Sequence, residues 1–189
     1  MVKVVVVNGA PGCGKTTFEN ICDKYINDLP IGYFEYGKYS YTLILSTIDF
    51  VKKIAKECGW NGEKSLKNRK FLSDLKDLLT DWGDVPFKDI KKHIDRECQL
   101  GLNTIVFVDC REPQEIQKLK DYFNATTVLI RRPGDTDTQT SNHADSEVFN
   151  YNYDLTIWNN SDIIGLEKKA KEFIEYLKKE EVPHYVNVN

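Results

Sequence analysis

Residues Gly9-Ala10-Pro11-Gly12-Cys13-Gly14-Lys15-Thr16 fit the spacing GxxxxGK[ST] at every fixed position. The stretches on either side restrict the fold as much as the motif does. Before it, Val2–Asn8 carries four consecutive valines, Val4 to Val7, apolar on both faces as a central parallel strand must be. After it, Phe18, Ile21, Cys22, Tyr25 and Ile26 recur at helical spacing. A strand, a glycine-rich turn and an amphipathic helix in this order let successive backbone N–H groups converge on phosphate oxygens at the positive end of a helix dipole. The Lys15 ammonium can then reach a β/γ-phosphate, and the Thr16 hydroxyl can ligate Mg²⁺. A turn that merely joined strand to helix would need neither three glycines nor Lys-Thr at these offsets. Gly9, Ala10, Pro11, Gly12, Cys13, Gly14, Lys15, Thr16 and Thr17 are therefore the candidate ATP phosphate-binding residues. Cys13 occupies a variable position, where a small tolerated residue explains it better than a reactive thiol.

The rest of the chain alternates strands and helices. Tyr41–Ser46 reads as a second strand, and Thr47 is placed to cap a helix over about 48–58 with Val51, Ile54 and Ala55 inward. Phe71, Leu72, Leu75, Leu78 and Leu79 form one stripe of a helix over about 66–80, expected to pack inward. Gly83-Asp84-Val85-Pro86 breaks the chain before a helix over about 87–100 that turns Ile90, Ile94 and Cys98 inward. Thr104–Val108 is a second fully apolar strand, and Pro113 opens a helix with Ile116, Leu119 and Phe123. Thr126–Ile130 and Asp154–Trp158 are further strands, and Leu166, Ala170, Phe173, Ile174 and Leu177 line a last helix. This pattern predicts an α/β fold of the P-loop NTPase type, with about five parallel strands and helices on both faces. No linker or repeat divides residues 1–189, so one domain is expected. Residues 132–149 are polar and long for a connection, which makes them a candidate lid.

Composition removes several function classes. The formal net charge is −3, without the global positive field of an extended nucleic-acid surface. The longest apolar run is too short to span a membrane, and a strand-like run directly after Met1 leaves no room for a signal peptide. Five cysteines without CxxC spacing and three dispersed histidines (93, 143, 184) argue for reduced cytoplasmic thiols rather than disulfides or a zinc site. An N-K-x-D guanine motif is missing, which weakens a GTPase reading.

Asp109 ends the apolar strand TIVFV, where an acid can orient Mg²⁺ and its water. Its offset from Pro113 suits a helix cap poorly. Arg111 follows, able to bind a phosphoryl group or to pair with Glu112 or Glu115.

The run Val108-Asp109-Cys110-Arg111-Glu112-Pro113-Gln114-Glu115 resembles the D-x-R…E segment of phage-type deoxynucleoside monophosphate kinases. Thr126–Gly134 (TTVLIRRPG) looks like that family's next strand, leading into an arginine-bearing lid. Tyr153–Ser161 is similar to its closing strand and I-x-N-x-G/S turn, with Ser161 where glycine is usual. The resemblance covers the loop and about 104–178, and is weaker over 30–100, the segment expected to choose the acceptor. It implies transfer of the ATP γ-phosphoryl group to a (deoxy)nucleoside monophosphate, with Mg²⁺ as cofactor. Because the acceptor is already an ionised phosphate, the work is to position and neutralise.

Lys15, Arg111, Arg131 and Arg132 are the cations expected to gather at the C-terminal edge of the strands, with Asp109 beside them. Arg131 and Arg132 would open a lid that excludes water, and Asn142, His143 and Asp145 lie within it. Asn159, Asn160 and Ser161 would flank the base of ATP. On the acceptor side, Arg69 lies on the flank of the apolar stripe, suited to a bidentate grip on a monophosphate, with Lys67 nearby. Asp74 would recognise a base or pair with Lys70 or Lys67. Tyr36, in an aromatic run with Tyr33, Phe34, Tyr39 and Tyr41, is a candidate stacking platform or core residue. Asp49 would serve as general base were the acceptor a hydroxyl, or simply complement a helix N-terminus. Two other readings stay open. One is a P-loop kinase for another small acceptor, phosphomevalonate-like or a polynucleotide 5′-hydroxyl. The other is an ATP-binding switch without kinase activity. The expected partners are small nucleotides, with neither a membrane nor an extended nucleic acid, and a homodimer is left open.

Overall fold

The computed structural model describes residues 1–27, 41–63, 65–135 and 147–179. Five strands form one parallel sheet: β1 (Val2–Asn8), β2 (Tyr41–Ser46), β3 (Thr104–Asp109), β4 (Thr126–Arg131) and β5 (Leu155–Trp158). Their order across the sheet is β2-β3-β1-β4-β5, so β1 is central. The helices among the described residues are α1 (Lys15–Asn27), α2 (Asp49–Glu57), α3 (Leu66–Gly83), α4 (Val85–Leu100), α5 (Pro113–Phe123) and α6 (Ile163–Lys179). The expected α/β class with a central phosphate-loop strand is what the chain forms. The stretch 30–100 is woven into that body, since it supplies β2 and, on α4, the core residues Ile90 and Ile94.

The valine run explains the layering. Side chains alternate across a strand, so Val5 and Val7 join Phe18, Cys22, Phe173 and Ile174 under α1 and α6, while Val4 and Val6 join Ile90, Ile94, Ile116 and Leu119 under α4 and α5. Each fully buried side chain of this size contributes about 1.5–3 kcal/mol. In register, Val7 lies beside Asp109 and Ser46 beside Asp109 on the other side. That pairing sets the Asp109 carboxylate at the same sheet edge as the loop leaving β1.

Several local expectations change. The helix after β2 starts at Asp49, and Ile48 at its N-cap makes no side-chain cap, so Thr47 does not cap it. Instead the Thr47 N–H donates to the Asp109 carbonyl at 3.1 Å. The α3 stripe does not pack inward as a unit. Lys76 is the buried residue of this helix, whereas Phe71 is 37% and Leu78 64% exposed. The reason is rotation. The helix packs on α2 and α4 through the face that carries Leu72, Leu79 and Lys76, and turns Phe71 and Leu78 outward. Asp84, in the left-handed region at φ 55°, separates α3 from α4, and Gly101 at φ 67° ends α4. The cap of α5 is Glu112 and not Asp109.

Candidate active site

Asn8 starts the site. It is fully buried at the end of β1, and its Oδ1 accepts the Gly9 N–H at 2.7 Å. Its Nδ2 donates to the Arg111 carbonyl at 3.1 Å and to the Tyr153 hydroxyl at 2.7 Å. The same hydroxyl donates to the Val148 carbonyl at 2.7 Å. One amide thus joins the phosphate loop, the turn after β3 and the chain just beyond the lid segment. Sequence reading missed Asn8, although a polar residue closing an all-valine strand is a usable signal.

The loop itself is tightly cradled. A Cβ on Gly9 would come within 2.4 Å of the Ile130 carbonyl oxygen and 2.6 Å of the Cys13 sulfur. One on Gly14 would meet the Asn159 amide nitrogen at 2.5 Å. Both glycines have positive φ, which an L side chain rarely adopts. Asn159 closes over the loop by donating to the Cys13 carbonyl at 2.9 Å, and its own N–H reaches the Arg131 carbonyl at 2.7 Å. Asn160 accepts from Lys169 at 2.6 Å. Ser161 packs against Gly165 at the start of α6. Cys13 is fully buried, and burial pushes its thiol pKa up, which is the opposite of an activated nucleophile.

A cleft of about 660 Å³ opens beside the loop. Its lining brings together Pro11, Gly12, Gly14, Lys15, Thr16 and Thr17 from the loop and the start of α1, Asp109 from the end of β3, Lys52, Arg69 and Lys76 from α2 and α3, and Arg111 and Glu112 from the turn after β3. Of the sequence candidates, Lys15, Thr16, Asp109, Arg111 and Arg69 therefore share one space. The Lys15 ammonium now donates to the Gly9 carbonyl at 2.6 Å, lying back across the loop it would leave on meeting a phosphate.

Other candidates lie elsewhere. Arg131 ends β4 with its guanidinium 4.5 Å from the Phe149 ring centroid and 5.0 Å from that of Trp158, a cation–π sandwich outside the cleft lining. Arg132 is exposed, and its backbone N–H donates to Asp135 at 2.5 Å. The four cations expected at one point are thus divided, Lys15 and Arg111 in the cleft and Arg131 and Arg132 beyond it. Lys67 is exposed outside the lining. Asp74 pairs with Lys70 at 2.7 Å across one helical turn. Asp49 is about half exposed, accepts the Ser46 N–H at 3.0 Å and pairs with Lys52, and it does not line the cleft. Tyr36, the other aromatic candidates except Tyr41, and the lid residues Asn142, His143 and Asp145 lie outside the described residues.

Two buried ionisable groups near the cleft, Glu19 and Lys76, went unrecognised in the sequence. Glu19 sits one turn beyond Lys15 on α1, with 0% exposure and no hydrogen-bond partner for either carboxylate oxygen. Burial, then the nearby Asp109 charge, push its pKa up to about 8, although Lys15 pulls the other way. Burial also raises the Asp109 pKa, against Lys15 and Arg111, and its Oδ1 is buried without a partner. The signal was an acid next to Phe18 and three residues before Cys22, among the inward positions of α1.

The second is Lys76, whose side chain is 8% exposed and which bonds both Glu112 and, at 2.6 Å, Glu115. Burial works to lower the lysine pKa, but Glu115 and Glu112 outweigh it and hold the ammonium charged. For Glu112 burial works upward and Lys76 prevails, so its pKa is lowered, whereas burial and Glu112 leave that of Glu115 raised. The triad fastens α3 to the turn that carries Arg111. Lys76 follows Arg69 by seven residues, hence shares its face, which was a readable hint.

The residues present fit Mg²⁺: Thr16 and Asp109 both line the cleft, and the Asp109 Oδ1, buried without a partner, is a hard oxygen of the kind that ion takes. Taken together, the central β1 strand, the glycine loop and the 2-3-1-4-5 strand order define an α/β protein of the P-loop NTPase fold. No family model matches the chain, and no curated protein matches it. Among solved structures it is similar to a thymidylate kinase from Ehrlichia chaffeensis at 12% identity and TM-score 0.49, over 92% of this chain and 98% of that one. It is also similar to a shikimate kinase from Bacteroides thetaiotaomicron at 12% identity and TM-score 0.46, over 93% and 98%. A sugar kinase from Janibacter sp. HTCC2649 aligns at 15% identity and TM-score 0.43, over 93% and 95%. Each is a likeness of chain path.

Proposed function

We propose that this chain is an ATP-dependent phosphotransferase that moves the γ-phosphoryl group to a nucleoside monophosphate. One observation carries the reading: the cleft lined by the phosphate loop is also lined by Arg69 from α3 and Arg111 from the turn after β3, while its lysines Lys52 and Lys76 are held in ion pairs with Asp49 and with Glu112 and Glu115. The cleft thus holds a second source of positive charge besides the loop. A donor and an acceptor that both bring phosphates need it, because their repulsion must be neutralised before an in-line approach.

In this mechanism the loop N–H groups and Lys15 hold the donor phosphates. Arg69 and Arg111 grip the acceptor phosphate and turn one oxygen toward the γ-phosphorus. Thr16 and Asp109 would hold Mg²⁺, which when bound neutralises charge on the donor phosphates. Asn159 keeps the loop in shape from the side expected to meet the base. Arg132, at the mouth of the lid segment, would add positive charge on closure, whereas Arg131 would hold the end of β4 through its stack on Phe149 and Trp158. No helix among the described residues is long and apolar enough to cross a membrane, and all five cysteines are free thiols, which accords with a cytoplasmic setting.

A hydroxyl acceptor would require a base in the cleft. Asp49, the candidate from the sequence, does not line the cleft and pairs with Lys52 at 3.4 Å, whereas the carboxylates of Asp109 and Glu112 do line it, so the choice of acceptor falls to the assay. The test is a coupled ADP-release assay against deoxynucleoside and ribonucleoside monophosphates, phosphorylated metabolites and 5′-hydroxyl oligonucleotides. ADP formation that rises at least tenfold with one monophosphate supports the reading. ADP release that no acceptor stimulates overturns it in favour of an ATPase or switch.

A further inference from the structure

The parallel ladder between β1 and β3 runs as far as Val7, whose carbonyl accepts the Cys110 N–H at 3.2 Å. Past that bond β1 opens into the phosphate loop, and β3 into the turn that bears Arg111. There the Asn8 side chain takes over as the link. Its Oδ1 accepts the N–H of Gly9, the first residue of the loop, at 2.7 Å, and its Nδ2 donates to the Arg111 carbonyl at 3.1 Å. Both partners are main chain, so the two bonds fix peptide groups rather than mobile side chains.

Chemistry leaves this amide one orientation. The Gly9 N–H can only donate, and the Arg111 carbonyl can only accept. The other Nδ2 proton goes to the Tyr153 hydroxyl at 2.7 Å, and that hydroxyl gives its own proton to the Val148 carbonyl at 2.7 Å. Each of these protons has an acceptor. At 0% exposure the amide is sealed from competing water, where such bonds are strongest. Among short side chains only that of asparagine offers an acceptor and two donors. Glu112, next after Arg111, is gripped by Lys76 of α3. The Arg111 peptide is therefore tied both to the donor loop and, through Glu112, to the helix that brings Arg69 to the cleft.

We infer that Asn8 is a positioning residue for phosphoryl transfer: its amide fixes the Arg111 turn against the first residue of the phosphate loop, and so sets the separation of acceptor and donor phosphates. This rests on Arg111 gripping the acceptor, as proposed above. The kinetic consequence is specific. An arginine stem is long and rich in rotamers, so the guanidinium keeps its phosphate when its peptide shifts, and ground-state binding survives loss of the amide. In-line attack does not tolerate the shift, because a misplacement of about 1 Å costs on the order of 100-fold in rate.

Steady-state kinetics with the acceptor found in the ADP-release panel test this, alongside thermal melts and titration with a fluorescent ATP analogue. Asn8→Asp keeps the acceptor for the Gly9 N–H and loses the donor to Arg111. Its kcat should fall about 100-fold, with acceptor KM and analogue affinity within about threefold of the parent. Tyr153→Phe removes one hydroxyl from beside the amide and leaves the ring in place. Its kcat should fall about three- to tenfold, again without a change in binding. Should Asn8→Asp fail to melt cooperatively, Tyr153→Phe decides by the same criteria. A kcat within about twofold of the parent overturns the inference. So does a loss taken in acceptor KM or analogue affinity instead of kcat, which is what an amide that only shapes the loop or the fold would give. A parent that no acceptor stimulates is a separate result: it removes the proposed function, and the role of Asn8 with it.

Discussion

The two walls of the cleft are built in different ways. The phosphate-loop wall is backbone. Its shape follows from β1 at the centre of the sheet, from glycines at φ 153° and 105°, and from Asn8 and Asn159 clamping the loop at its two ends. The other wall is side chains: Lys52, Arg69 and Lys76 on helices lying off the sheet, and Arg111 on a turn. Backbone donors have few degrees of freedom left after folding, whereas a lysine or arginine must be steered by whatever its stem packs against. The donor side is therefore rigid and generic, and the acceptor side is where specificity can vary by rotating or re-tethering α3.

The largest break in this contrast should come from Lys15→Ala. It removes the loop side chain proposed to meet the transferring phosphate, and turnover in the coupled assay should fall about 10³-fold or more. A surviving rate within tenfold of the parent would show that the loop is not the donor site.

Next comes the tether. Lys76→Met leaves Glu112 and Glu115 buried without their cation, which costs about 3–5 kcal/mol. The melting temperature should drop by roughly 10 °C for a domain of this size, and the loss should shrink at acid pH, where both carboxyls take up protons. An unchanged melt would mean that α3 is not held through this triad.

Arg69→Ala should then raise the acceptor KM about 10–100-fold with little change in ATP affinity, the value of a charge-assisted contact. Arg131→Ala, by contrast, should leave acceptor KM alone, because its guanidinium is stacked outside the cleft. If both variants behave alike, the division into two walls is wrong.

Glu19 yields a pH prediction. Its folded pKa, about 8, lies above the ordinary carboxylate value of 4.5. The folded state therefore holds the proton more tightly than the unfolded one, and stability falls as pH rises from about 4.5 to 8. Glu19→Gln keeps the shape and removes that dependence. It should melt roughly 5 °C higher than the parent at pH 8.5, the effect of about 2 kcal/mol, and close to the parent at pH 5. Equal shifts at both values would remove the buried-acid account. The smallest effect belongs to Asp74→Ala, which loses an exposed pair within one helix and should change stability by no more than about 0.5 kcal/mol.

The phosphate loop, the valine strand before it, the helix after it, the parallel α/β class and the strand-end position of Asp109 are legible from residue order alone. These are local or periodic properties: glycine spacing, β-branched runs and helical repeats act on neighbours within a few residues. Long-range packing, by contrast, is what seals Glu19 inside without a partner and buries Lys76 against two glutamates. It alone put Arg131 between Phe149 and Trp158, and turned half of the α3 stripe to solvent. Each of those depends on which face of a helix meets a neighbour dozens of residues away. A repeat of 3.6 residues says that a helix has an apolar side, but the angle at which the helix docks decides which residues that side hides.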